Sequence, residues 1–232
     1  LRLVGSEMCI RDRFAIDTGI EENILVIGDS SGKSTLLRNM IHRISEGIPP
    51  SDAKLLVIDY RRQLLGECPA THLAGYASTK QDVQEFISQL VPLLESRMPA
   101  GVDDPQTLRD RSWWKGPDIF LVVDDYDLVA TSSGNPLQGL LELLPYGRDI
   151  GLHMVVARRC TGFSRTSFEP IMARLRELHP TIFLMSGTAE EGIIAGGRKA
   201  RSLSKGRADV ISNQGTHQVV QFAHHVGEEK TE

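Results

Sequence analysis

A stretch rich in glycine and serine, with one lysine, carries the clearest chemistry in the chain. It reads Gly-Asp-Ser-Ser-Gly-Lys-Ser-Thr at 28–35 and follows an apolar run at 24–27. A strand that ends in a glycine-rich turn and opens a helix directs main-chain N–H groups at one point, which is how proteins bind phosphate. We predict that nucleotide phosphates are bound by Gly28, Asp29, Ser30, Ser31, Gly32, Lys33, Ser34 and Thr35.

Two side chains of this stretch have defined tasks in a phosphate loop. Lys33 would place its ammonium group on the β- and γ-phosphates, and the Ser34 hydroxyl would bind Mg²⁺. The spacing is one residue short, because residues 29–31 separate the first glycine from the Gly-Lys pair where the P-loop pattern has four residues. The shortening removes a main-chain amide from the anion site. Two interpretations stay open: a degenerate phosphate site, or an error in the sequence itself.

A second motif places two acids at the end of an apolar run. Residues 119–123 are apolar and are followed by Asp124 and Asp125. A strand-end acid of this kind holds Mg²⁺ and its water shell, and the next acid orients or activates the attacking water. We therefore predict ATP and Mg²⁺ as cofactors, Lys33, Asp124 and Asp125 as catalytic residues, and Ser34 and Asp124 as the metal site. Because Asp is one methylene shorter than the Glu of many hydrolysing ATPases, we expect a weakened or water-mediated base.

Several arginines flank the predicted strands. Ring-forming P-loop ATPases use an arginine supplied across a subunit boundary to stabilise transition-state charge. The candidates for this task are Arg61, Arg148, Arg158 and Arg159. We predict Arg148 as the catalytic arginine, and a solvated or salt-bridged surface side chain is the alternative for each of the four.

The composition is that of one α/β domain. The chain has 232 residues, 41% hydrophobic and 24% charged, and can bury a full core. Its net charge of -4 gives no general electrostatic reason to bind nucleic acid, so we expect no direct nucleic-acid partner. Cys9, Cys68 and Cys160 are far apart, which predicts neither a disulfide framework nor a zinc site. No apolar run approaches the roughly eighteen residues that cross a bilayer, and we expect no membrane insertion by this segment.

Apolar runs alternate with amphipathic helical patterns along most of the chain. Predicted strands occupy 24–27, 55–58, 119–123, 152–157 and 181–185, and predicted helices occupy 33–45, 79–97 and 168–178. Short apolar runs between helices are typical of a parallel sheet covered on both faces. Two further strands, 208–212 and 217–223, are joined by Asn-Gln-Gly and predict a C-terminal β-hairpin. The predicted fold class is α/β, with a mostly parallel central sheet flanked by helices.

The two ends of the chain lie outside the predicted domain, which spans 14–226. Residues 1–13 begin without Met and mix charged with apolar residues at neither the strand nor the helix period. They resemble translated adaptor-like sequence, and we predict a non-native or disordered N-terminus. A short strand at 14–19 and a tail at 227–232 complete the prediction.

A tryptophan pair interrupts the polar, irregular stretch at 99–117. Trp113 and Trp114 are predicted to cover the edge of the sheet. A docking role is the alternative, because aromatic pairs are enriched at interfaces.

Several stretches together resemble one family. They are the loop at 28–38, Val-Ile-Asp-Tyr-Arg-Arg at 57–62, the tryptophan pair with the acidic motif at 113–129, Gly-Arg-Asp-Ile-Gly-Leu-His-Met-Val-Val-Ala-Arg-Arg at 147–159, and shorter matches at 185–187, 191–192 and 205–208. From about residue 24 to 226 the chain resembles FtsK/SpoIIIE-type ATPase domains. More narrowly, it resembles the C-terminal ATPase domain of the EccC proteins of type VII (ESX) secretion.

The resemblance implies a RecA-like P-loop domain that forms a ring, with a hexamer as the expected form, or a stack with sibling ATPase domains. It also implies two kinds of partner: WXG-type helical-hairpin substrates, whose C-terminal signal such a domain recognises, and other membrane components of the secretion machine. The implied location is cytoplasmic, at the inner face of the membrane. In that setting the domain would drive or license export.

This sequence departs from DNA-pumping relatives of the family. Asp125 stands where they carry Glu, and Arg158 and Arg159 stand where they carry a Thr-Gln pair whose Gln senses the γ-phosphate. Lys205 stands where the family tends to have Pro. These changes favour ATP binding with low or conditional hydrolysis. A DNA translocase of the FtsK type and a non-hydrolysing regulatory or scaffold domain remain as alternatives.

Overall fold

A central β-sheet organises the domain in the computed structural model, which describes residues 23–99, 101, 104–166 and 168–222. The strands are β1 (Asn23–Ile27), β2 (Ala53–Ile58), β3 (Leu73–Ala77), β4 (Asp118–Val123), β5 (Leu152–Arg158), β6 (Thr181–Leu184), β7 (Ile193–Ala195), β8 (Arg198–Lys199), β9 (Arg207–Ile211) and β10 (His217–Gln221). Eight of them form one sheet in the order β10-β9-β6-β1-β5-β4-β2-β3. The other two, β7 and β8, pair with each other in a small antiparallel hairpin.

Strand β1 lies in the interior of the sheet and runs parallel to both of its neighbours. Val26 is in register with Ala157 of β5 on one side and with Phe183 of β6 on the other. Strands β2, β3, β4 and β5 continue the parallel part. On the other side of the sheet, β9 pairs antiparallel with β6, and β10 pairs antiparallel with β9. The mostly parallel sheet and the C-terminal hairpin are thereby confirmed.

Helices cover both faces of the sheet, as the runs of buried apolar strand residues require. They are α1 (Lys33–Gly47), α2 (Lys80–Glu95), α3 (Pro105–Asp110), α4 (Tyr126–Val129), α5 (Gly147–Ile150), α6 (Phe163–Thr166) and α7 (Pro170–Glu177). One face packs against α1, whose buried stripe includes Leu37 and Ile41. The other packs against α2 and α7. Thr79 and Asp82 form a capping box that begins α2.

Several elements were not predicted from the sequence, and they include β3, the β7–β8 hairpin and the short helices α3, α4, α5 and α6. Strand β3 is an edge strand of mixed burial with sequence Leu-Ala-Gly-Tyr-Ala, so it lacks the continuous apolar run of an interior strand. The β7–β8 hairpin is too short for a periodic signal, and α3 lies in a stretch that the sequence presents as irregular. The predicted strand at 14–19 and both predicted domain boundaries fall outside the described residues.

The tryptophan pair, predicted to cover the edge of the sheet, packs instead near the amino ends of the interior strands β4 and β5. Trp113 Nε1 donates to Arg97 O at 2.7 Å, and Trp114 Nε1 donates to Asp149 O at 2.8 Å. The Arg97 guanidinium lies 4.1 Å from the centroid of the Trp114 ring. Gly151 immediately precedes β5, and its lack of a side chain leaves room for that ring. Both tryptophans therefore lie at the end of the sheet where β4 and β5 begin, opposite the carboxyl ends of these strands.

Within the part of the chain that the structure describes, every helix is too short or too polar to cross a bilayer.

Candidate nucleotide-binding site

The loop between β1 and α1 turns sharply at the carboxyl end of β1. The N–H of Gly28 donates to Arg158 O at 3.2 Å, and the N–H of Asp29 donates to Ser186 O at 2.8 Å. Gly32 is the N-cap of α1, with φ of 96°, a backbone conformation that glycine adopts without steric cost. The two flanking strands therefore hold the base of the loop, and its far end opens the helix.

Gly28 has no room for a side chain. A Cβ at this position would lie 2.7 Å from Met185 Cβ and 3.2 Å from Ser186 O, both just beyond β6. A Cβ atom and a main-chain oxygen can move only if the backbone itself moves. The glycine is thus required by the close approach of two strand ends.

The Gly28→Ala variant is expected to lower the free energy of unfolding by about 1–3 kcal/mol, because the new methyl group overpacks the strand ends. Urea denaturation measures the change. The control is Gly139→Ala, whose Cβ would meet methyl groups of Val91 and Ile87 at 3.2 and 3.4 Å. Equal losses in the two variants would contradict the steric explanation.

The loop lines a cavity of about 420 Å³, a volume typical of small-ligand sites. Its lining residues are Asp29, Ser30, Ser31, Gly32, Lys33, Ser34, Thr35, Arg61, Gln63, Asp125 and Arg159. Among the described residues, the main-chain N–H groups of 30–35 donate to no other group. The Ser31 hydroxyl is buried, and its oxygen has no hydrogen-bond partner within the same part of the chain. Unpaired donors around a cavity fit an anion such as phosphate, even in a loop that is one residue short.

Ser34, which lines this cavity, contacts the buried carboxylate of Asp124, which is not among the lining residues. Ser34 Oγ donates to Asp124 Oδ2 at 2.6 Å, so the start of α1 contacts the end of β4. The other oxygen of Asp124 accepts the N–H of Asp125 at 2.9 Å. Hard oxygen donors on the phosphate loop and at a strand end are the pair that holds Mg²⁺ beside phosphates. The donor set therefore fits the predicted metal.

Burial raises the pKa of Asp124, which is 1% exposed. The hydrogen bond from Ser34 opposes this shift in pKa, and the neighbouring charge of Asp125 adds to it. A buried carboxylate close to a second carboxylate is costly without a compensating cation. The electrostatics thus favour a bound cation at Asp124.

Asp125 forms ion pairs with two basic side chains, one at each carboxylate oxygen. Arg61 Nε lies 3.1 Å from Oδ2, and Lys33 Nζ lies 3.9 Å from Oδ1. Asp125 itself has φ of 48°, in the left-handed region that Asp tolerates better than most residues. The structure therefore places Lys33, Asp124, Asp125 and Arg61 close together.

The candidate arginines lie in three different environments. Arg61 and Arg159 line the cavity. Arg148 is exposed in α5, before β5 begins, so the length of that strand, about 20 Å, separates it from the cavity. Arg148 therefore does not line the cavity of its own chain.

Arg158 is a buried, salt-bridged residue, whereas a cross-subunit arginine must be exposed. Its side chain is 1% exposed, its Nη2 lies 3.0 Å from Asp127 Oδ1, and its guanidinium is 5.0 Å from the centroid of the Phe163 ring. A side chain buried in this way cannot cross a subunit boundary. Arg159, the next residue, has a side chain that is 57% exposed, and it is the member of the pair that lines the cavity.

Asp29 belongs to the cavity wall, but its carboxylate binds the loop after β5. It accepts the N–H of Cys160 at 3.1 Å and the hydroxyl of Thr161 at 2.8 Å. From the other side, Glu191 accepts the N–H of Gly162 at 2.7 Å. These contacts fix the loop that carries Arg159. Asp29 is therefore a positioning residue here.

The structure also adds Gln63 to the cavity wall. It follows Arg61 and Arg62 in the loop after β2, and no motif singles it out. Its position after a strand of a parallel sheet is the signal that could have found it, because the carboxyl ends of such strands meet at one edge.

Curated proteins with related sequences identify the family. The chain is 45% identical over 222 residues, 95% of its length, to the ESX-4 secretion system protein EccC4 of Mycobacterium tuberculosis. It is 40% identical over 210 residues, 90% of its length, to the ESX secretion system protein EccC of Thermomonospora curvata. The chain is a homologue of the EccC ATPase domains. It spans 18% and 16% of the length of these two EccC proteins.

Solved structures agree with this assignment. The cytoplasmic domain of the T. curvata type VII secretion ATPase EccC superposes with a TM-score of 0.90 at 39% identity, over 93% of this chain and 25% of that one. T. curvata EccC, ATPases 2 and 3, in complex with a signal sequence peptide gives a TM-score of 0.89 at 39% identity, over 93% of this chain and 39% of that one. No protein-family model matches the chain. The predicted RecA-like fold and the EccC resemblance are confirmed.

Proposed function

We propose that this EccC-type domain binds Mg-ATP in the cavity between β1, β4 and β2 as part of a type VII secretion ATPase. The observation that carries the proposal is the contact of Ser34 Oγ with Asp124 Oδ2, beside Lys33 and the unpaired N–H groups of 30–35. The first two would hold Mg²⁺, Lys33 would bind the β- and γ-phosphates, and the N–H groups would surround the phosphate oxygens. Bound Mg²⁺ would neutralise phosphate charge.

Hydrolysis in this site is proposed to be slow or conditional. Asp125 is the acid placed to orient the attacking water, but Arg61 and Lys33 both pair with it. A carboxylate whose two oxygens are both paired with cations has fewer lone pairs free to accept a hydrogen bond from water. The same pairing also supports the second candidate, a nucleotide-bound regulatory or scaffold domain without turnover. Turnover that Asp125→Asn abolishes would exclude that second candidate.

The proposed partners follow from the relatives. One solved EccC structure contains ATPases 2 and 3 with a signal sequence peptide, and this supports recognition by our domain of the C-terminal signal of WXG-type substrates. We further propose sibling ATPase domains in a ring or stack, with Arg148 supplied across the boundary, and a cytoplasmic position at the membrane beside the other secretion components. The domain would span 14–226.

The Lys33→Ala variant tests the proposal. Its affinity for Mg-ATPγS is expected to fall about tenfold to a hundredfold, because a charge-assisted contact of about 1.5–3 kcal/mol is lost. Isothermal titration calorimetry measures the affinity. Lys54→Ala is the matched control, since Lys54 binds Thr71 O near the opposite end of β2.

Unchanged affinity in Lys33→Ala would remove the nucleotide-loop assignment. A DNA translocase is the competing function, and DNA-stimulated ATPase activity of the purified protein would favour it over the secretion ATPase. The formal charge of -4 argues against that outcome.

A further inference from the structure

We propose that Arg61 is a second phosphate-binding cation, supplied by the same chain, which exchanges its partner from Asp125 to the terminal phosphate of ATP. The inference rests on the proposed nucleotide site. It differs from the cross-subunit role that the sequence indicates for one of the arginines. It gives the cavity a means to distinguish nucleoside triphosphate from diphosphate.

Position is the first argument. Arg61 and Lys33 both line the cavity, and each contacts a different oxygen of the Asp125 carboxylate. One small anionic group thus already sits between the two cations. A phosphate oxygen carries the same kind of charge and accepts the same hydrogen bonds as a carboxylate, so it can take the place of Asp125 for either cation.

The rigidity of the Arg61 backbone is the second argument. Asp59, at the end of β2, is 1% exposed and accepts the N–H of Leu64 at 2.6 Å and the hydroxyl of Tyr76 at 2.9 Å. The N–H of Arg62 donates to Asp59 O at 3.2 Å, which closes the turn. A turn fixed in this way holds the Arg61 backbone at the cavity while its side chain, 60% exposed, stays able to move.

The charges at the cavity are the third argument. The Asp29 carboxylate is directed at the loop after β5, where it accepts hydrogen bonds from Cys160 and Thr161. Arg159 lines the cavity, but its N–H and its guanidinium both lie against Asp127, at 2.7 and 3.8 Å. Arg61 is therefore the cavity arginine whose partner, Asp125, is itself part of the phosphate site.

The exchange has a consequence for Asp125. Once Arg61 pairs with phosphate, the carboxylate loses its closest cation and can accept a hydrogen bond from water. Binding of the triphosphate would then release the acid that the proposed hydrolysis needs. A diphosphate, which lacks the terminal group, would leave the Arg61–Asp125 pair in place.

The test compares Arg61→Gln with Arg62→Gln, a neighbouring exposed arginine outside the cavity wall. Affinities of the full chain for Mg-ATPγS and Mg-ADP are measured by calorimetry. Arg61→Gln is expected to weaken ATPγS binding about tenfold and ADP binding less than about twofold, because one charged hydrogen bond is lost with the triphosphate alone. Arg62→Gln is expected to change neither. Equal loss for both nucleotides, or no loss, would overturn the proposal.

A double-mutant cycle with Asp125→Asn tests the exchange itself. In the wild-type background this change is expected to strengthen ATPγS binding, because Arg61 no longer has a competing partner. The gain should shrink in the Arg61→Gln background. Additive effects would show that the two residues act separately and would overturn the exchange. If Lys33→Ala weakens ATPγS binding while Arg61→Gln does not, the nucleotide site stands and the Arg61 inference fails.

Discussion

The Arg158→Ala variant is expected to lose about 3 kcal/mol of unfolding free energy, because removal of Arg158 takes away the closest cation of the Asp127 carboxylate, which is 11% exposed. Arg158 is fully enclosed, with Nη2 3.0 Å from Asp127 Oδ1 and Nε donating to Arg159 O at 3.2 Å. In the variant, Asp127 would still accept a hydrogen bond from the N–H of Arg159, 2.7 Å away. The expected loss of unfolding free energy is therefore at the lower end of the range for buried ion pairs. Chemical denaturation, followed by circular dichroism, measures it.

Arg159→Ala is the matched control for this prediction. Its side chain is 57% exposed, so its removal is expected to change the unfolding free energy by less than about 0.5 kcal/mol. The double variant Arg158→Met/Asp127→Asn, which removes both charges, is expected to be more stable than Arg158→Ala. If Arg158→Ala weakened ATP binding but left stability intact, the assignment of Arg158 to the core would be wrong.

The Asp124→Asn variant is expected to melt at a higher temperature than the wild type at pH 7, while its Mg²⁺ affinity in the presence of ATP falls about tenfold to a hundredfold. Burial raises the pKa of Asp124 in the folded chain above its unfolded value. Such a group contributes stability below the unfolded pKa and loses that contribution as the pH rises through the folded pKa. The ionised carboxylate is therefore a cost at pH 7. An asparagine removes it and can keep both hydrogen bonds, with the Ser34 hydroxyl as acceptor.

Thermal melts at pH 7 and at about pH 4, near the usual Asp pKa, measure this effect, and the gain in stability should shrink at the lower pH. Asp118→Asn, at the start of β4, is the control with the opposite sign. Burial alone would raise the pKa of Asp118, but His153 and Arg111 together hold it below its usual value. Its ionised form stabilises the fold at pH 7, and that contribution is lost as the pH falls through the folded pKa. A lower melting temperature for Asp124→Asn at pH 7 would contradict the argument.

Most of the fold could be predicted because interior strands have a strong local signal. The runs that form β1, β4 and β5 are mostly apolar, because helices cover both faces of a parallel sheet and its interior strands are buried on both sides. Strand β3 was missed because an edge strand does not need such a run. The C-terminal hairpin was found through its turn residues.

The residues of the candidate site that belong to short contiguous motifs could be predicted from the sequence. Ser34 and Asp124 lie 90 residues apart, yet each follows a strand of the sheet, and the carboxyl ends of parallel strands meet at one edge. The pairing of Arg61 with Asp125 could not be foreseen, because it depends on how far one loop extends over another.

The sequence by itself determined a RecA-like domain with a phosphate loop, a strand-end acid pair and an EccC-type pattern, because each is encoded by neighbouring residues. The tertiary structure decided which charged side chains face the cavity. Arg158 and Arg159 are adjacent in the chain and both contact Asp127, but the side chain of Arg158 is 1% exposed, whereas that of Arg159 is 57% exposed and lines the cavity. Asp29 likewise belongs to the loop by sequence, while its carboxylate binds residues more than a hundred positions away. Orientation of this kind arises from packing between distant segments, which no local pattern records.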